Sequence, residues 1–302
     1  MKYIFGPISS RRFGMSLGID LSPDEKCCNF DCIYCELDKA DKKDTITNPP
    51  KVEDVVNDVK KGIEKFEFDV LTITANGEPT LYPYLDELID ELKKLNKKLL
   101  ILSNSSTINN PKIQTSLKKL DIVKLSLDSV NPKTFKKIDR PLNAIKIENI
   151  IKGLKEFSKI YDGDLIIEIL VVKGINDKIE EFQALNKVLS EINPTRVDIS
   201  TIDRPPAYDV LPVEYEILFE LSKEIQNQHI FIASRKNLTN KKESFTKEEL
   251  LTTLKKRPFS EEDIKNILDD NSQKLFLELL ENDMLKEKII ANTKFFATRI
   301  LM

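Results

Sequence analysis

Histidine and cysteine are both scarce in this chain of 302 residues, and their scarcity limits the metal sites that it can build. The single histidine is His229, and all four cysteines lie between positions 27 and 35. A structural zinc site normally takes four Cys or His ligands, often as two separate pairs, and this chain has no second pair. A disulfide framework is disfavoured as well, because four clustered cysteines in a chain of this length form no sensible set of cross-links.

Long apolar runs and a strong net charge are also missing. No stretch approaches the roughly 18 apolar residues of a membrane-spanning helix, and the opening residues 1–7 lack the apolar run of a signal peptide. We therefore expect no membrane association and a cytoplasmic location, where thiols stay reduced. The formal net charge of -3 also gives no sign of the polybasic surface that binds nucleic acid or anionic lipid.

The cysteines that are present form a compact motif. Cys28, Cys32 and Cys35 follow a CxxxCxxC spacing, and Tyr34 directly precedes the last of them. Thiolates are the preferred ligands of iron–sulfur clusters, and closely spaced cysteines on one loop can wrap a single cluster. Three thiol ligands for four irons would leave one iron open to bind a small molecule. Cys27 fits only a CxxxxCxxC spacing, and we interpret it as a neighbour of the ligands.

Beyond this motif, apolar runs alternate with amphipathic segments, a pattern typical of an α/β fold whose parallel sheet is covered by helices. Six such units fit a partial (β/α)6 barrel within a domain of residues 1–235, whereas eight would make a closed barrel. In either form, ligands gather at the carboxyl ends of the strands. The predicted strands are 16–21, 69–75, 98–103, 122–128, 165–172 and 196–202, and the predicted helices are 52–66, 84–95, 111–120, 144–161 and 179–192.

The last part of the chain has a different pattern, which resembles a small winged-helix module over residues 245–302. A polar stretch at 235–244 is the predicted linker to it. Residues 241–302 contain twelve Lys or Arg and twelve Asp or Glu, so the module lacks the positive face that phosphate binding needs. We favour a lid, a docking surface or a structural cap. The predicted helices are 247–256, 261–268 and 272–283, and a predicted hairpin pairs 286–290 with 294–300.

Polar residues follow several predicted strands. Asn76, Gly77 and Glu78 come after the second strand, where glycine permits close approach of a ligand and a carboxylate can receive an ammonium group. Asn104 follows the third strand and Ser126 lies at the end of the fourth. Such small polar side chains can bind a ligand or cap the next helix, and the pattern leaves both readings open.

Four charged residues complete the list of candidates. Glu168 lies inside an apolar strand, where a carboxylate needs a partner or a polar cavity. Arg204 directly follows the sixth strand, at the rim where ligands gather. Arg11 and Arg12 can either bind an anionic group or be solvated, since guanidinium groups suit carboxylate and phosphate.

The cysteine spacing, together with the aromatic residue before the last cysteine, resembles the signature of the radical S-adenosylmethionine (SAM) superfamily. The resemblance implies that Cys28, Cys32 and Cys35 bind a [4Fe-4S] cluster and that Tyr34 lies against the adenine of SAM. It also implies that segment 76–78 holds the amino group of SAM, although Asn76 stands where the superfamily usually has glycine. By their positions at the strand ends or within a strand, Asn104, Ser126, Glu168 and Arg204 are the remaining residues expected to face SAM or substrate.

Three further stretches, at 6–12, 76–80 and 203–206, resemble the radical SAM proteins related to the tRNA wyosine synthetases. This resemblance covers roughly residues 1 to 210. Wyosine synthetases of this type carry a second cluster on additional cysteines, and this chain has only Cys27 to spare. We therefore carry over the chemistry of SAM cleavage and leave out the imidazoline-forming reaction.

The resemblance implies an enzyme that needs a low-potential electron donor of the flavodoxin or ferredoxin type. SAM would be cleaved reductively, and the resulting 5'-deoxyadenosyl radical would abstract hydrogen from an unknown substrate. Two alternatives stay open. The first alternative is a tRNA base-modifying enzyme, as the subgroup resemblance suggests. The second is an iron–sulfur regulator that binds DNA through its C-terminal module. The regulator would bind duplex DNA with strong salt dependence and would need no SAM turnover.

Overall fold

The computed structural model describes residues 1–10, 12–232, 242–290 and 293–299. Its centre is an eight-stranded sheet whose strands lie side by side in chain order. The first pair is antiparallel and every later pair is parallel, which confirms the predicted α/β class. The strands are β1 (Ile4–Ser10), β2 (Gly14–Asp20), β3 (Val70–Thr74), β4 (Leu99–Ser103), β5 (Ile122–Ser126), β6 (Asp164–Val171), β7 (Arg196–Thr201) and β8 (Ile230–Ile232).

Amphipathic helices connect the parallel strands and cover the outer face of the sheet. Their apolar stripes pack against one continuous core, in which Leu17, Leu71 and Val123 are fully buried. Burial of this kind is the main favourable contribution to folding. The helices are α1 (Val52–Lys65), α2 (Leu85–Lys93), α3 (Pro111–Leu117), α4 (Pro132–Ile138), α5 (Ile147–Phe157), α6 (Ile179–Ile192) and α7 (Tyr215–Ser222). None of the helices in the described ranges is long and apolar enough to cross a membrane.

The predicted secondary structure was wrong in two regions, at the start of the chain and around residues 132–157. Strand β1 was not predicted, because Gly6 and Pro7 favour a turn; a proline is nevertheless tolerated in this edge strand, whose pairing is irregular there. The single helix predicted over 144–161 is the shorter α5, and α4 before it was missed. The start of α4 is marked locally, since the side chain of Asn131 accepts a hydrogen bond from the Lys133 amide at 2.9 Å, ahead of a proline at the first helical position.

The C-terminal part forms three helices and a three-stranded antiparallel sheet around its own apolar core. Thr246 and Ser260 cap the first two of these helices. Residues 233–241, which include most of the predicted linker, and residues 291–292 between the two predicted hairpin segments lie outside the described residues. The elements are α8 (Lys247–Lys256), β9 (Phe259–Ser260), α9 (Glu261–Ile267), α10 (Asp270–Glu281), β10 (Leu285–Ile290) and β11 (Thr293–Thr298).

The C-terminal part is attached to the exposed edge of the large sheet. The Gly6 amide in β1 donates a hydrogen bond to the Thr253 hydroxyl at 3.1 Å, and Arg257 donates to the Ser9 carbonyl at 3.2 Å. Lys256 forms an ion pair with Asp20 at the end of β2. These contacts bring the end of α8 to the inner face of the sheet.

A buried network of charges lies inside the sheet, on β5, β6 and β7. Lys124 contacts Glu168 at 2.8 Å and Asp198 at 3.2 Å, and both carboxylates also contact Arg12. Arg196 adds a further contact to Asp198 at 2.7 Å. Burial alone would raise the pKa of Glu168, but Lys124 and Arg12 lower it to about 2. Glu168 therefore has the charge partners that its position in an apolar strand requires.

The same network shows that the sheet curves back toward itself. Arg12 belongs to the turn between β1 and β2, whereas its carboxylate partners belong to β6 and β7. The Arg12 guanidinium also lies 5.9 Å from the ring centre of Phe231 in β8. Residues from one edge of the sheet thus reach the strands of the opposite edge, as in an open barrel.

We expect Asp198→Asn to lower the free energy of unfolding by about 3–5 kcal/mol, because it leaves buried cations without their shared carboxylate. Asp198 is fully buried. The matched control is Asp90→Asn, which removes an exposed carboxylate paired with Lys119 and should cost about 0–1 kcal/mol. Urea unfolding followed by circular dichroism measures both values, and equal losses in the two variants would contradict a stabilising role for the network.

Candidate active site

A cavity of about 490 Å³ opens on the inner face of the sheet. Alternate residues of the strands line it, because side chains at positions i and i+2 share one face; Ser16 and Asp20 of β2 are examples. All the residues that the sequence indicates for SAM line this cavity except Glu168, which forms an ion pair with the cavity residue Lys124. They are Tyr34, Asn76, Gly77, Glu78, Asn104, Ser126 and Arg204.

The cysteine loop (residues 28–35) lies between β2 and α1, at the carboxyl ends of the parallel strands. Its backbone is held by α4 and the residue after it: the Ile33 amide donates to the Ile138 carbonyl at 2.9 Å, and the Asp31 amide donates to the Asp139 carbonyl at 3.1 Å. Cys35 lines the cavity directly. The loop is therefore anchored by β2 and α1 at its ends and by α4 along its backbone, as a binding loop on a rigid scaffold should be.

The three thiols of the motif are each held by a polar neighbour. Asn104 donates a hydrogen bond to the sulfur of Cys28 at 3.6 Å, and Lys26 donates to that of Cys35 at 3.6 Å. The Cys32 thiol donates to Asp139 at 3.4 Å. Hydrogen bonds to the sulfurs are among the factors that set the reduction potential of an iron–sulfur cluster.

Burial raises the pKa of all three thiols, that of Cys28 to about 12. Iron must therefore displace a proton from each sulfur, so that binding of a cluster is favoured at higher pH. Among the described residues, no three Cys, His, Asp or Glu side chains converge on one point closely enough to bind a single metal ion. A cluster does not need such convergence, since each thiolate binds a different iron. The three soft ligands on one loop fit that group.

Cys27 joins the cysteine loop to the segment 76–78 through its backbone. Its amide donates to the Asn76 carbonyl at 2.8 Å, and its carbonyl accepts from the Glu78 amide at 2.9 Å. Between these bonds lies Gly77, with a φ of 139°, and a Cβ added there would lie 1.9 Å from the Cys27 carbonyl oxygen. Only glycine fits this close approach of two backbones. The side chain of Cys27 is buried in the apolar core.

Glu78 ties together the ends of β3 and β4. Its Oε1 accepts hydrogen bonds from the Thr80 amide and hydroxyl at 3.0 and 2.6 Å and from the Ser103 hydroxyl at 2.8 Å. Its Oε2 accepts from the Asn104 amide at 2.7 Å. Burial raises the pKa of Glu78 despite these donors. A carboxylate oxygen accepts more than one hydrogen bond, so Oε2 has capacity for a donor from a ligand.

Tyr34 contacts two buried carboxylates below the cysteine loop. Its hydroxyl donates to Asp128 at 2.5 Å. Burial raises the pKa of Asp128 to about 6, and burial together with Asp128 raises that of Asp139. Asp139 was missed in the sequence, where it follows α4 without any motif of its own. The hydrogen bond fixes the orientation of the tyrosine ring beside the cavity.

Asn104 combines the two readings that its residue type allows. Its side-chain oxygen accepts from the Ser106 amide at 2.9 Å, which is a local turn interaction, while its amide nitrogen donates to Cys28. The backbone carbonyl of Ser126 accepts from the Ser105 hydroxyl at 2.7 Å, and its own side chain faces the cavity.

Residues 26–185 match the radical SAM superfamily. The chain belongs to this superfamily. A UPF0026 protein of Helicobacter pylori (strain ATCC 700392 / 26695) is 41% identical over 299 residues, which cover 97% of this chain and 96% of the relative. A UPF0026 protein of Methanocaldococcus jannaschii is 32% identical over 227 residues, or 73% of this chain and 70% of the relative. Membership of the superfamily makes the protein an enzyme whose substrate is not given by the family.

Solved structures share the fold of this radical SAM protein. SuiB of Streptococcus suis bound to S-adenosylmethionine superposes with a TM-score of 0.57 at 18% identity, covering 72% of this chain and 50% of that one. TYW1 with a lysine-pyruvate adduct superposes with a TM-score of 0.54 at 21% identity, covering 74% and 76%. The resemblance of the sequence to the radical SAM superfamily is confirmed. At 18% and 21% identity, the two solved structures show the shared fold alone.

Four cationic side chains line the cavity, and three of them, Lys124 of β5 and Lys256 and Arg257 of the C-terminal part, had no role in the sequence interpretation. The fourth is Arg12, one of the two arginines for which the sequence left anion binding open; Arg11 lies outside the described residues. Basic residues at the end of a helix such as α8 normally complement its dipole, which gives no hint of a site. The placement of Lys256 and Arg257 depends on contacts with Asp20 of β2 and Ser9 of β1, more than 230 residues away.

We expect Gly77→Ala to prevent stable uptake of the cluster, because the added methyl group must push the Cys27 backbone and the cysteine loop away. The matched control is Gly174→Ala. Gly174 also has a positive φ, 73°, but no atom lies within 4 Å of its added Cβ, so only backbone strain of about 1–3 kcal/mol applies. Iron content and visible absorbance after anaerobic reconstitution measure the effect, and full cluster content in the Gly77 variant would refute it.

Proposed function

We propose that this protein is a single-cluster radical SAM enzyme in which Cys28, Cys32 and Cys35 hold a [4Fe-4S] cluster. The observation that supports this most directly is that the cysteine loop and the strand-end residues indicated for SAM meet at one cavity. When bound, the cluster supplies the electron that cleaves SAM to methionine and a 5'-deoxyadenosyl radical, which abstracts hydrogen from the substrate. The protein supplies orientation and exclusion of water.

The residues around the cavity have distinct roles in this proposal. Segment 76–78 receives the amino group of SAM, for which Oε2 of Glu78 has remaining acceptor capacity. Asn104 and Ser126 offer polar groups to the carboxylate and ribose of SAM, and Tyr34, fixed by Asp128, provides a face for the adenine. Glu168 acts indirectly, because it holds Lys124 and Arg12 in place.

We further propose that residues 1–235 form a partial (β/α)6 barrel, with β8 as an additional edge strand, and that 245–302 form a winged-helix-like module. The module completes the cavity wall, since Lys256 and Arg257 line the cavity. This arrangement favours a lid or cap as the role of the module. It disfavours a DNA-binding regulator, whose basic residues should face solvent to reach phosphates. The reductant is a low-potential donor of the flavodoxin or ferredoxin type, and the location is the cytoplasm.

The decisive experiment compares Cys32→Ala with Cys27→Ala after anaerobic reconstitution. We expect the wild-type protein to form 5'-deoxyadenosine from SAM and dithionite, and Cys32→Ala to lose both this product and the cluster absorbance. Cys27→Ala should keep both, because the contacts of Cys27 with segment 76–78 run through its backbone. Chromatography and the spectrum of the reduced cluster, with and without SAM, provide the readouts.

Two results would count against the proposal. Cluster assembly and SAM cleavage that survive in Cys32→Ala would reject the ligand assignment. A stable wild-type cluster whose spectrum ignores SAM, together with salt-dependent binding to duplex DNA, would favour the regulator instead.

A tRNA base is the narrower candidate substrate, supported by the motif resemblance at 6–12, 76–80 and 203–206. If it is correct, tRNA from cells that lack this protein should lose one modified nucleoside that the parent strain contains. Liquid chromatography with mass spectrometry of digested tRNA measures this. Identical nucleoside profiles would reject a tRNA substrate and leave the radical SAM assignment intact.

A further inference from the structure

Two arginines from distant parts of the chain lie together at one side of the cavity. Arg204 follows β7, and Arg257 directly follows α8 in the C-terminal part. Burial and the neighbouring charge of Arg204 lower the pKa of Arg257 to about 10. Arg257 is only 7% exposed. Two like charges in such a position repel each other, whereas nearby carboxylates raise the pKa of Arg204. The pair therefore depends on negative partners.

The guanidinium groups of this pair are incompletely used by the protein. Arg257 donates from Nη1 to the Ser9 carbonyl at 3.2 Å and from Nη2 to Asp263 at 3.5 Å, the limit for a hydrogen bond. The buried Nε atoms of Arg204 and Arg257 have no acceptor in the part of the chain that the structure describes. A guanidinium carries five N–H donors in a planar fork that matches carboxylate and phosphate oxygens.

Three carboxylates lie near the pair, and they are not equally bound. Asp263 caps α9, since its Oδ2 accepts from the Ser260 amide at 2.9 Å and from the Ser260 hydroxyl at 3.1 Å. Asp203 precedes Arg204 in the chain and makes its own contacts. Glu36 is held less firmly: its Oε2 lies 3.6 Å from Nη1 of Arg204, and its side chain is 35% exposed. Glu36 also lines the cavity, next to Cys35.

Arg204, which the sequence indicates for SAM or substrate, lies with Arg257 away from the strand ends to which the proposed function gives a role in SAM binding. Segment 76–78 and Asn104 follow the central strands β3 and β4, whereas Arg204 follows β7 and Arg257 is bonded to Ser9 of β1. The arginines therefore lie where the two edges of the curved sheet approach each other. This is the side of the cavity that remains for a second molecule.

We propose that Arg204 and Arg257 form an oxyanion subsite that binds a phosphate or carboxylate group of the substrate. Glu36 is the resident counter-ion, and the substrate displaces it from Arg204. The proposal rests on the proposed function and extends it by naming the chemical class of the substrate. It also gives the C-terminal part a direct role, since one of the two binding side chains belongs to it.

The test measures anion binding by the reconstituted, cluster-bearing protein without SAM. Equilibrium dialysis with labelled inorganic phosphate, and separately with acetate, gives the affinity for each probe. We expect saturable binding of at least one probe, weakened about tenfold or more in Arg204→Gln and Arg257→Gln, because each loses charge-assisted hydrogen bonds. Stronger binding of phosphate would indicate a phosphorylated substrate, and stronger binding of acetate a carboxylic acid.

Two further variants sharpen this test. Glu36→Gln should tighten binding of the same probe severalfold, because it removes the competing carboxylate; a merely structural ion pair would not produce this gain. Arg299→Gln is the matched control, since Arg299 is half exposed in the C-terminal part and does not line the cavity. It should bind the probe as the wild type does. Arg204→Gln covers the case in which Arg257→Gln fails to fold, since Arg257 also holds Ser9 and Asp263.

Three results would overturn the subsite: no saturable binding of either probe, undiminished binding by a folded Arg204→Gln, or a loss of SAM affinity equal to the loss of probe affinity. The last result would assign the pair to the carboxylate of SAM. The proposed function fails separately, through absence of SAM cleavage in the wild-type protein. Cleavage without probe binding rejects only the subsite, and probe binding without cleavage rejects only the radical SAM function.

Discussion

The backbone hydrogen bonds between Cys27 and the segment 76–78 are the constraint on which the candidate site depends. They place the cysteine loop directly against the end of β3, and they do so at a glycine that no other residue can replace without moving the loop. Glu78 then continues the connection to β4 through Ser103 and the Asn104 amide. The cysteine loop, the end of β3 and the end of β4 are thereby joined into one hydrogen-bonded unit at the cavity.

Charge organises the rest of the interior. Lys124 and Arg12 line the cavity and are compensated by Glu168 and Asp198, so that each cation has a carboxylate within 3.2 Å. The pair of Arg204 and Arg257 is different, because Glu36, its partly exposed carboxylate partner, lies 3.6 Å from Arg204. A satisfied network stabilises the fold, whereas an incompletely satisfied pair is free to bind a ligand. The two clusters have similar residues and opposite consequences.

Much of the fold was readable from local patterns. Apolar runs predicted each of the strands β2 to β7 within a few residues, and the alternation of strands with amphipathic helices predicted their parallel pairing. Strand β1 was not predictable in this way, because Gly6 and Pro7 favour a turn and only its pairing with β2 makes the segment a strand. Helix α4 was missed although Asn131 and the following proline mark its start.

The sequence by itself determined the three cysteines, the aromatic residue before the last of them and the polar residues at the strand ends, because these signals are carried by spacing along the chain. Only the tertiary structure decided that Glu168 is neutralised by Lys124 and Arg12, and that Arg257 meets Arg204 beside the cavity. Their partners lie tens to more than a hundred residues away in the chain. Charge pairing acts through space, and a sequence pattern does not contain the folded distance between two side chains.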